Sequence, residues 1–148
     1  MYKNIMVAID DSETSRCALA EALHIAKCSN AKLYITHVAD ETLLSMHNRP
    51  IGTTLNLDHA LQAIADAGRK LLDAAMAGAK EVNAETLLLE ARSRRVSETL
   101  ADKARELHVD LIIIGRHGRR GIATLILGSV AEQLAKIAEA SVLLVRKH

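Results

Sequence analysis

Short runs of apolar residues alternate along this chain with longer stretches in which apolar positions recur every three or four residues. The first run, residues 5–9, is wholly apolar and is followed at once by Asp10 and Asp11. A run of this length with an abrupt polar end is typical of a β-strand buried on both faces. Four later short runs are rich in apolar residues, and they predict strands over residues 31–38, 85–91, 110–115 and 141–145.

The stretches between these runs have the period of amphipathic helices. The first stripe is formed by Leu19, Ala22, Leu23 and Ala26. Ser12 or Asp11, just after the first strand, can cap the start of this helix. Three further stripes predict a second helix from Asp58, a third over 96–107 and a fourth over 130–138. Residues 39–57 show no sustained period, and we expect them to form the longest irregular segment.

Strands that alternate with helices form a parallel sheet covered by helices on both faces. The chain has 148 residues, a usual length for one domain, so we expect a single α/β domain over residues 1–148. In an open sheet of this kind a ligand binds outside the carboxyl ends of the strands, where the strand order reverses. The segments after the first and fourth strands therefore form the candidate site.

The composition excludes several classes of function. Lys and Arg number 19 against 18 Asp and Glu, a net charge of +1, so the chain lacks the basic surplus of a general nucleic-acid binder. It has no Phe, no Trp and only two Tyr, too few rings for a platform that stacks bases. No apolar run reaches the ~18–20 residues that cross a bilayer, and the first residues do not resemble a secretory leader. We therefore expect a cytoplasmic protein without membrane insertion.

The two cysteines, Cys17 and Cys28, both fall in the first predicted helix. At a rise of ~1.5 Å per residue they lie ~16 Å apart, whereas a disulfide needs Cα atoms within about 7 Å. We expect two unpaired thiols that pack toward the core as small residues.

The segment after the fourth strand is rich in glycine and arginine. Gly115, Gly118 and Gly128 allow the backbone to turn tightly and to approach a ligand closely. Gly128 and Ser129 open a predicted helix, whose free N–H groups and positive dipole end suit a phosphate. Three arginines add charge that either contacts phosphate or is only solvated: Arg116, Arg119 and Arg120. The P-loop and the dinucleotide-binding fingerprint are both missing from the sequence.

The spacing Gly115-x2-Gly118-x9-Gly128-Ser129 resembles the ATP-binding motif of the universal stress protein family. The likeness extends to the first, second and last strands, and so covers the whole chain. It implies a flavodoxin-like three-layer sandwich of the adenine nucleotide α-hydrolase-like type, with five parallel strands in the order 3-2-1-4-5. It also implies a bound ATP, with Mg²⁺ as its counter-ion, between the first and fourth strands.

The resemblance assigns roles to residues around that crevice. Asp10 matches an acidic residue that holds the ribose or a metal-bound phosphate, which makes it the candidate metal contact. Three residues would line the adenine slot: Ala8, Ile9 and Val38. Two would pass beside the nucleoside: Ile114 and Gly115. Five would lie at the phosphates: Gly118, Arg119, Gly128, Ser129 and Val130. Many family members carry proline where this chain has Ala8, but a small apolar residue is kept.

The sequence motifs of common hydrolases are missing. The chain has no H-E-x-x-H, no G-x-S-x-G and no triad-like spacing. His117 in the glycine segment is a candidate base, whereas each histidine, His37 included, is interpreted as a surface or capping residue. We predict an ATP-binding regulatory protein of a stress response, with no catalytic residue and slow or no hydrolysis. A weak ATPase or nucleotide hydrolase, a cyclic AMP (cAMP) or AMP binder, and an interaction module with an empty crevice remain as alternatives.

The last strand predicts a contact with a second copy of the chain. It is apolar on both faces and is expected at the edge of the sheet, where an unpaired strand invites pairing. In the resembled family this strand pairs antiparallel across a two-fold axis, so we expect a homodimer through residues 141–146. Arg92, Arg94 and Arg95 follow the third strand and form either a solvated loop or a docking patch for an acidic partner. The sequence does not identify a protein client.

Overall fold

The computed structural model of the chain describes residues 1–41, 54–117 and 127–147. Within these ranges the strands are β1 (Asn4–Ala8), β2 (Lys32–Ala39), β3 (Ala84–Glu90), β4 (Leu111–Gly115) and β5 (Ser141–Val145). The helices are α1 (Glu13–Ser29), α2 (Thr54–Ala77), α3 (Val96–Glu106) and α4 (Ser129–Ile137). Among the residues so described, no helix is both long and apolar enough to cross a membrane.

The five strands lie parallel in one sheet with the order β3-β2-β1-β4-β5, which confirms the predicted fold. β1 lies at the centre, where Ile5 is level with Leu33 of β2 on one side and with Leu111 of β4 on the other. The chain steps outward from β1 through β2 to β3, and then crosses back to β4. The strand order therefore reverses beside β1, and this reversal positions the candidate site.

Two apolar layers hold the helices against the sheet. Because successive side chains of a strand point to opposite faces, Ile5 and Val7 of β1 pack with α1 and α2, whereas Met6 packs with α3 and α4. The residues that α1 presents to the sheet are small and spaced four apart: Ala18, Ala22 and Ala26. Side chains of this size let α1 lie close to the central strands, so its first turn comes directly against the candidate site.

The second helix begins at Thr54, one turn before the predicted start at Asp58. The prediction followed the apolar stripe, and that stripe covers only the part of the helix that packs on the sheet. Leu57, in the first turn of α2, is 41% exposed and so gives no signal of this kind. The irregular segment predicted over 39–57 is therefore shorter at both ends, since Ala39 belongs to β2; residues 42–53 lie outside the described residues.

Both cysteines are free, as the spacing predicts, but the prediction that both face the core is wrong. Cys17 is half-buried and Cys28 is exposed. The sheet-facing side of α1 includes Ala26, and a residue two positions further along a helix points about 200° away from it. Cys28 therefore faces away from the sheet.

Candidate functional site

The predicted slot residues lie together at the carboxyl ends of β1, β2 and β4. Ala8 is level with Thr36 of β2 and with Ile114 of β4. Val38 and Ile114 are buried in the α3/α4 layer, and Ala8 packs against the same apolar cluster. Ile9 is buried in the opposite layer, beneath α1. The structure therefore brings Ala8, Val38 and Ile114 together and separates the Ile9 side chain from them.

Asp10 lies at the turn between β1 and α1, and hydrogen bonds fix the backbone around it. The Ile9 N–H donates to the Thr36 carbonyl at 2.8 Å, so β1 follows β2 for one residue beyond its end. The Asp10 N–H donates to Ser15 Oγ at 2.8 Å, and Asp10 Oδ1 accepts from the Ser12 N–H at 2.9 Å. The half-buried carboxylate is thereby held at the positive end of α1, where a negative charge is favourable.

Gly115 allows the end of β4 to lie against the first turn of α1. A Cβ atom at this position would meet Thr14 Oγ1 at 2.9 Å, the Thr14 carbonyl carbon at 3.0 Å and the Ser15 nitrogen at 3.1 Å. The Thr14 hydroxyl also donates to the His117 carbonyl. Close packing between α1 and β4 thus accounts for glycine at position 115.

The two ends of the glycine-rich segment are joined by backbone hydrogen bonds. The Arg116 N–H donates to the Val145 carbonyl at 2.6 Å, and the Gly128 N–H donates to the Arg116 carbonyl at 2.9 Å. Gly118 and Arg119, both predicted to lie at the phosphates, are outside the described residues, as is Arg120. Because the Gly128 N–H already donates to Arg116, it is not an available donor for a ligand at this end of α4.

The N-terminus of α4 begins at Ser129, with Gly128 as its extended N-cap residue. The first N–H groups of an α-helix have no intrahelical partner, so the amides of Ser129 and Val130 are directed at whatever lies before the helix. Ser129 is exposed, and the Val130 side chain packs against the same cluster as Ala8. The N-terminus of α4 therefore adjoins the apolar group formed by Ala8, Val38 and Ile114.

His37 is a residue of this region that the sequence analysis assigned wrongly as a surface or capping histidine. It is 7% exposed, and its Nδ1 lies 2.8 Å from the Ile9 carbonyl oxygen. A carbonyl only accepts, so Nδ1 carries the proton and donates. The imidazole fits beneath α2 because a Cβ atom on Gly68 would meet His37 Cδ2 at 2.8 Å. His37 thus anchors the Ile9–Asp10 peptide from the neighbouring strand.

We expect His37→Leu to lower the free energy of unfolding by about 1–3 kcal/mol, because the Ile9 carbonyl loses a buried donor. His37→Asn is the matched control, since its amide nitrogen lies near the position of Nδ1 and keeps a donor there. Urea unfolding of the three proteins measures the difference. A His37→Leu variant as stable as the wild type would contradict the anchoring role.

The three arginines after β3 make contacts within the chain. Each guanidinium lies beside a carboxylate or amide oxygen: Arg92 with Glu90, Arg94 with Asp102, and Arg95 with Gln133. These pairs are exposed and contribute little to stability. Their internal partners favour the interpretation as a solvated loop over that of a docking patch.

An ion pair links the segment after β5 to the first turn of α1. The Lys147 ammonium lies 2.8 Å from Oε1 of Glu13 in the first turn of α1. Its hydrogen bond and charge lower the pKa of Glu13 and, reciprocally, raise the pKa of Lys147. The pair ties the end of the chain after β5 to the helix that carries the Asp10 turn.

An open parallel sheet in this strand order, with its crevice at the reversal, makes the chain an α/β protein of the adenine nucleotide α-hydrolase-like fold. The chain belongs to the universal stress protein family, whose family model matches residues 1–146. A curated relative, Universal stress protein YxiE of Bacillus subtilis (strain 168), is 31% identical in an alignment of 150 positions that covers 99% of this chain and 100% of the relative.

Solved structures of the same family resemble the chain along its whole length. UspA from Lactobacillus plantarum is 25% identical with a TM-score of 0.77 and 98% coverage of both chains. A universal stress protein in complex with cAMP is 28% identical with a TM-score of 0.64, over 99% of this chain and 98% of that one. The Archaeoglobus fulgidus protein in complex with dAMP is 22% identical with a TM-score of 0.68, over 97% and 98%. That last likeness shows the fold alone.

Proposed function

We propose that this chain is a nucleotide-binding regulatory protein that holds ATP at the crevice between β1 and β4. One observation carries the proposal: the aliphatic group of Ala8, Val38 and Ile114 adjoins the open N-terminus of α4. An apolar surface beside a helix N-terminus suits a ligand with a flat apolar base at one end and phosphates at the other. The relative in complex with cAMP supports an adenine nucleotide as that ligand.

The base would be held by contact with aliphatic side chains. With no Phe or Trp in the sequence, the slot gains apolar burial and excludes water but lacks the additional attraction of ring stacking. The β1 side chain that reaches this slot is Ala8, because Ile9 points into the other layer. A small residue at position 8 leaves room for a planar ring between β1 and Val130.

The phosphates would lie at the amides of Ser129 and Val130, with the Ser129 hydroxyl as an additional donor. The family motif also assigns Gly118 and Arg119 to the phosphates. Asp10 would contact the ribose or a phosphate-bound Mg²⁺ from the opposite side of the crevice. Mg²⁺ bound to nucleotides takes only one or two carboxylates from the protein, and the described residues contain no cluster of three metal-ligating groups. The donor set therefore fits an ion held mainly by the phosphates.

Calorimetric titration with Mg²⁺ and each of ATP, ADP, AMP and cAMP tests the proposal. ATP should bind with the highest affinity, because each further phosphate brings more negative charge to the donors at the start of α4. Tighter binding of cAMP than of ATP would favour the alternative of a cyclic nucleotide sensor. No binding of any of the four would contradict a nucleotide-dependent function.

Hydrolysis of the bound ATP is expected to be slow or absent. The alternative is a weak ATPase with His117 as the base, whose carbonyl is held by the Thr14 hydroxyl. Product release measured for the wild type and for His117→Ala and Asp10→Asn distinguishes the two. Turnover of many ATP molecules per second in the wild type, lost in His117→Ala, would overturn the regulatory assignment. The stress response, the client and the cytoplasmic location remain predictions from the sequence.

We also propose that β5 joins two copies of the chain into a homodimer through residues 141–146. β5 forms an edge of the sheet, and residues 142–145 remain only half-buried in the single chain. The Ser141 N–H and the Val145 carbonyl bond toward β4. Alternation along a strand then directs the N–H and carbonyl of Val142 and Leu144 outward, to the free edge.

We expect Val142→Pro to produce a folded monomer, because proline removes an outward donor without removing a bond to β4. Val142→Ala is the control, since it shortens the side chain to a similar extent but keeps the N–H. Sedimentation at micromolar concentration should show a dimer for the wild type and for Val142→Ala, and a monomer for Val142→Pro. A monomeric wild type would contradict the interface.

A further inference from the structure

His24 and Cys28 lie together near the end of α1, away from the Asp10 turn at its start. They are four residues apart, so both project from the same face of the helix. His24 Nε2 is 3.8 Å from Cys28 Sγ, and both residues are exposed. Neither has a part in the proposed nucleotide site.

We propose that this pair is a binding site for a thiophilic divalent cation of the Zn²⁺ class. With bonds of about 2.05 Å to nitrogen and about 2.3 Å to sulfur, atoms 3.8 Å apart enclose an angle of about 120° at the metal. Tetrahedral coordination needs a separation of about 3.6 Å, which a small side-chain rotation supplies. Imidazole and thiolate are also the ligand types that Zn²⁺ selects over carboxylate or water.

The end of the helix dipole at this pair favours a cation, although Lys27, Lys80 and Glu81 line the same surface as His24. The last carbonyl groups of α1 form the negative end of the helix dipole, and Cys28 lies in this last turn. The nearby Lys27 ammonium is engaged by the Glu81 carboxylate, which offsets its repulsion of a metal ion. The proposed site uses His24 and Cys28 as its two protein ligands, and water completes the coordination.

Binding exchanges a proton for the metal. The Cys28 thiol gives its proton to the solvent as the sulfur–zinc bond forms, and His24 binds through the lone pair of neutral Nε2 with its proton on Nδ1. Metal binding therefore releases a proton, and the affinity should rise as the pH is raised. A bound ion would also stabilise the end of α1 by mass action.

Titration of the reduced, full-length chain, free of nucleotide and of any histidine tag, with ZnCl₂ tests the site. We expect one Zn²⁺ per chain, with the dissociation constant raised at least about tenfold in Cys28→Ser and in His24→Gln. Cys17→Ser and His59→Gln are the matched controls, because they remove another thiol and another exposed imidazole and should leave the affinity unchanged. Thermal unfolding without metal confirms that each variant is folded.

Substitution with Co²⁺ gives a second readout, since a cobalt–thiolate bond produces a charge-transfer band in the near ultraviolet. The band should appear in the wild type and be missing in Cys28→Ser. Zinc affinity that is the same in the wild type, Cys28→Ser and His24→Gln would overturn the proposal, as would a wild type without the cobalt–thiolate band. Neither outcome bears on ATP binding, which the nucleotide titrations measure separately.

Discussion

Replacing Ser129 with glutamate should abolish the stabilisation by ATP while leaving the nucleotide-free protein at least as stable as the wild type. Ser129 is the first residue of α4 and its side chain is exposed. A carboxylate in the first turn of a helix is favourable by about 0.3–1 kcal/mol. The same carboxylate competes for the open amides and repels the phosphates of ATP. Stability and binding are therefore expected to change independently.

The expected loss is large enough to measure by thermal unfolding. ATP at 100 times its dissociation constant stabilises the native state by about 2.7 kcal/mol, and Ser129→Glu should remove nearly all of it. Ser129→Gln is the matched control, because it has the same size without the charge and should keep most of the stabilisation. An undiminished ATP effect in Ser129→Glu would show that the phosphates do not lie at the start of α4.

Gly115→Ala should lower the free energy of unfolding by about 1–3 kcal/mol, the usual cost of overpacking a tight contact. The added Cβ would lie 3.0 Å from the Thr14 carbonyl carbon and 3.1 Å from the Ser15 nitrogen. These are backbone atoms of the first turn of α1, and they cannot rotate away as the end of a side chain can. Separating α1 from β4 would also displace the turn that holds Asp10, so ATP affinity should fall as well.

Urea unfolding measures this cost, with a lower midpoint and an unchanged slope as the expected result. Gly78→Ala is the control, since a Cβ there would meet only the Ala75 carbonyl oxygen, at an ordinary 3.5 Å. Its effect should be neutral or slightly stabilising, because alanine restricts the unfolded chain more than glycine does. If Gly115→Ala and Gly78→Ala are equally stable, the close approach of α1 to β4 is not as described.

The order and type of the secondary structure could be predicted from the sequence because those signals are local. The run from Ile5 to Ile9 is long enough for a buried strand and too short for a helix, and Asp10 ends it at once. Alternation of such runs with helical stripes leads to a parallel sheet, and a parallel sheet determines which strand ends can form a crevice. The structure confirms that argument, from periodicity to sheet order.

Two features of the site depend on contacts between residues that are distant in sequence, and could not be predicted from local patterns. The burial of His37 depends on Gly68, a residue of α2 that lets the helix approach the imidazole, and no pattern around position 37 signals this contact. The need for glycine at position 115 likewise comes from Thr14, which is distant in sequence. Such pairings are set by how elements pack, and propensity or spacing does not encode them.

Two side-chain orientations follow from the sequence alone. Adjacent residues of a strand face opposite layers, so the side chains of Ala8 and Ile9 point to different sides of the sheet. The angular spacing of a helix similarly places Cys28 away from the side marked by Ala22 and Ala26. In both cases the residue period that identifies the strand or helix also determines which way each side chain points.

The most direct test of the nucleotide site is to follow the backbone amide resonances of the protein by NMR during titration with Mg²⁺ and ATP. The proposal predicts that the largest shifts occur at Asp10, Val38, Ser129 and Val130, with smaller changes at the amino ends of the strands. The proposal would be contradicted if saturating ATP left these four amides unchanged and instead perturbed residues at the amino ends of the strands, such as Asp110 and Ser141.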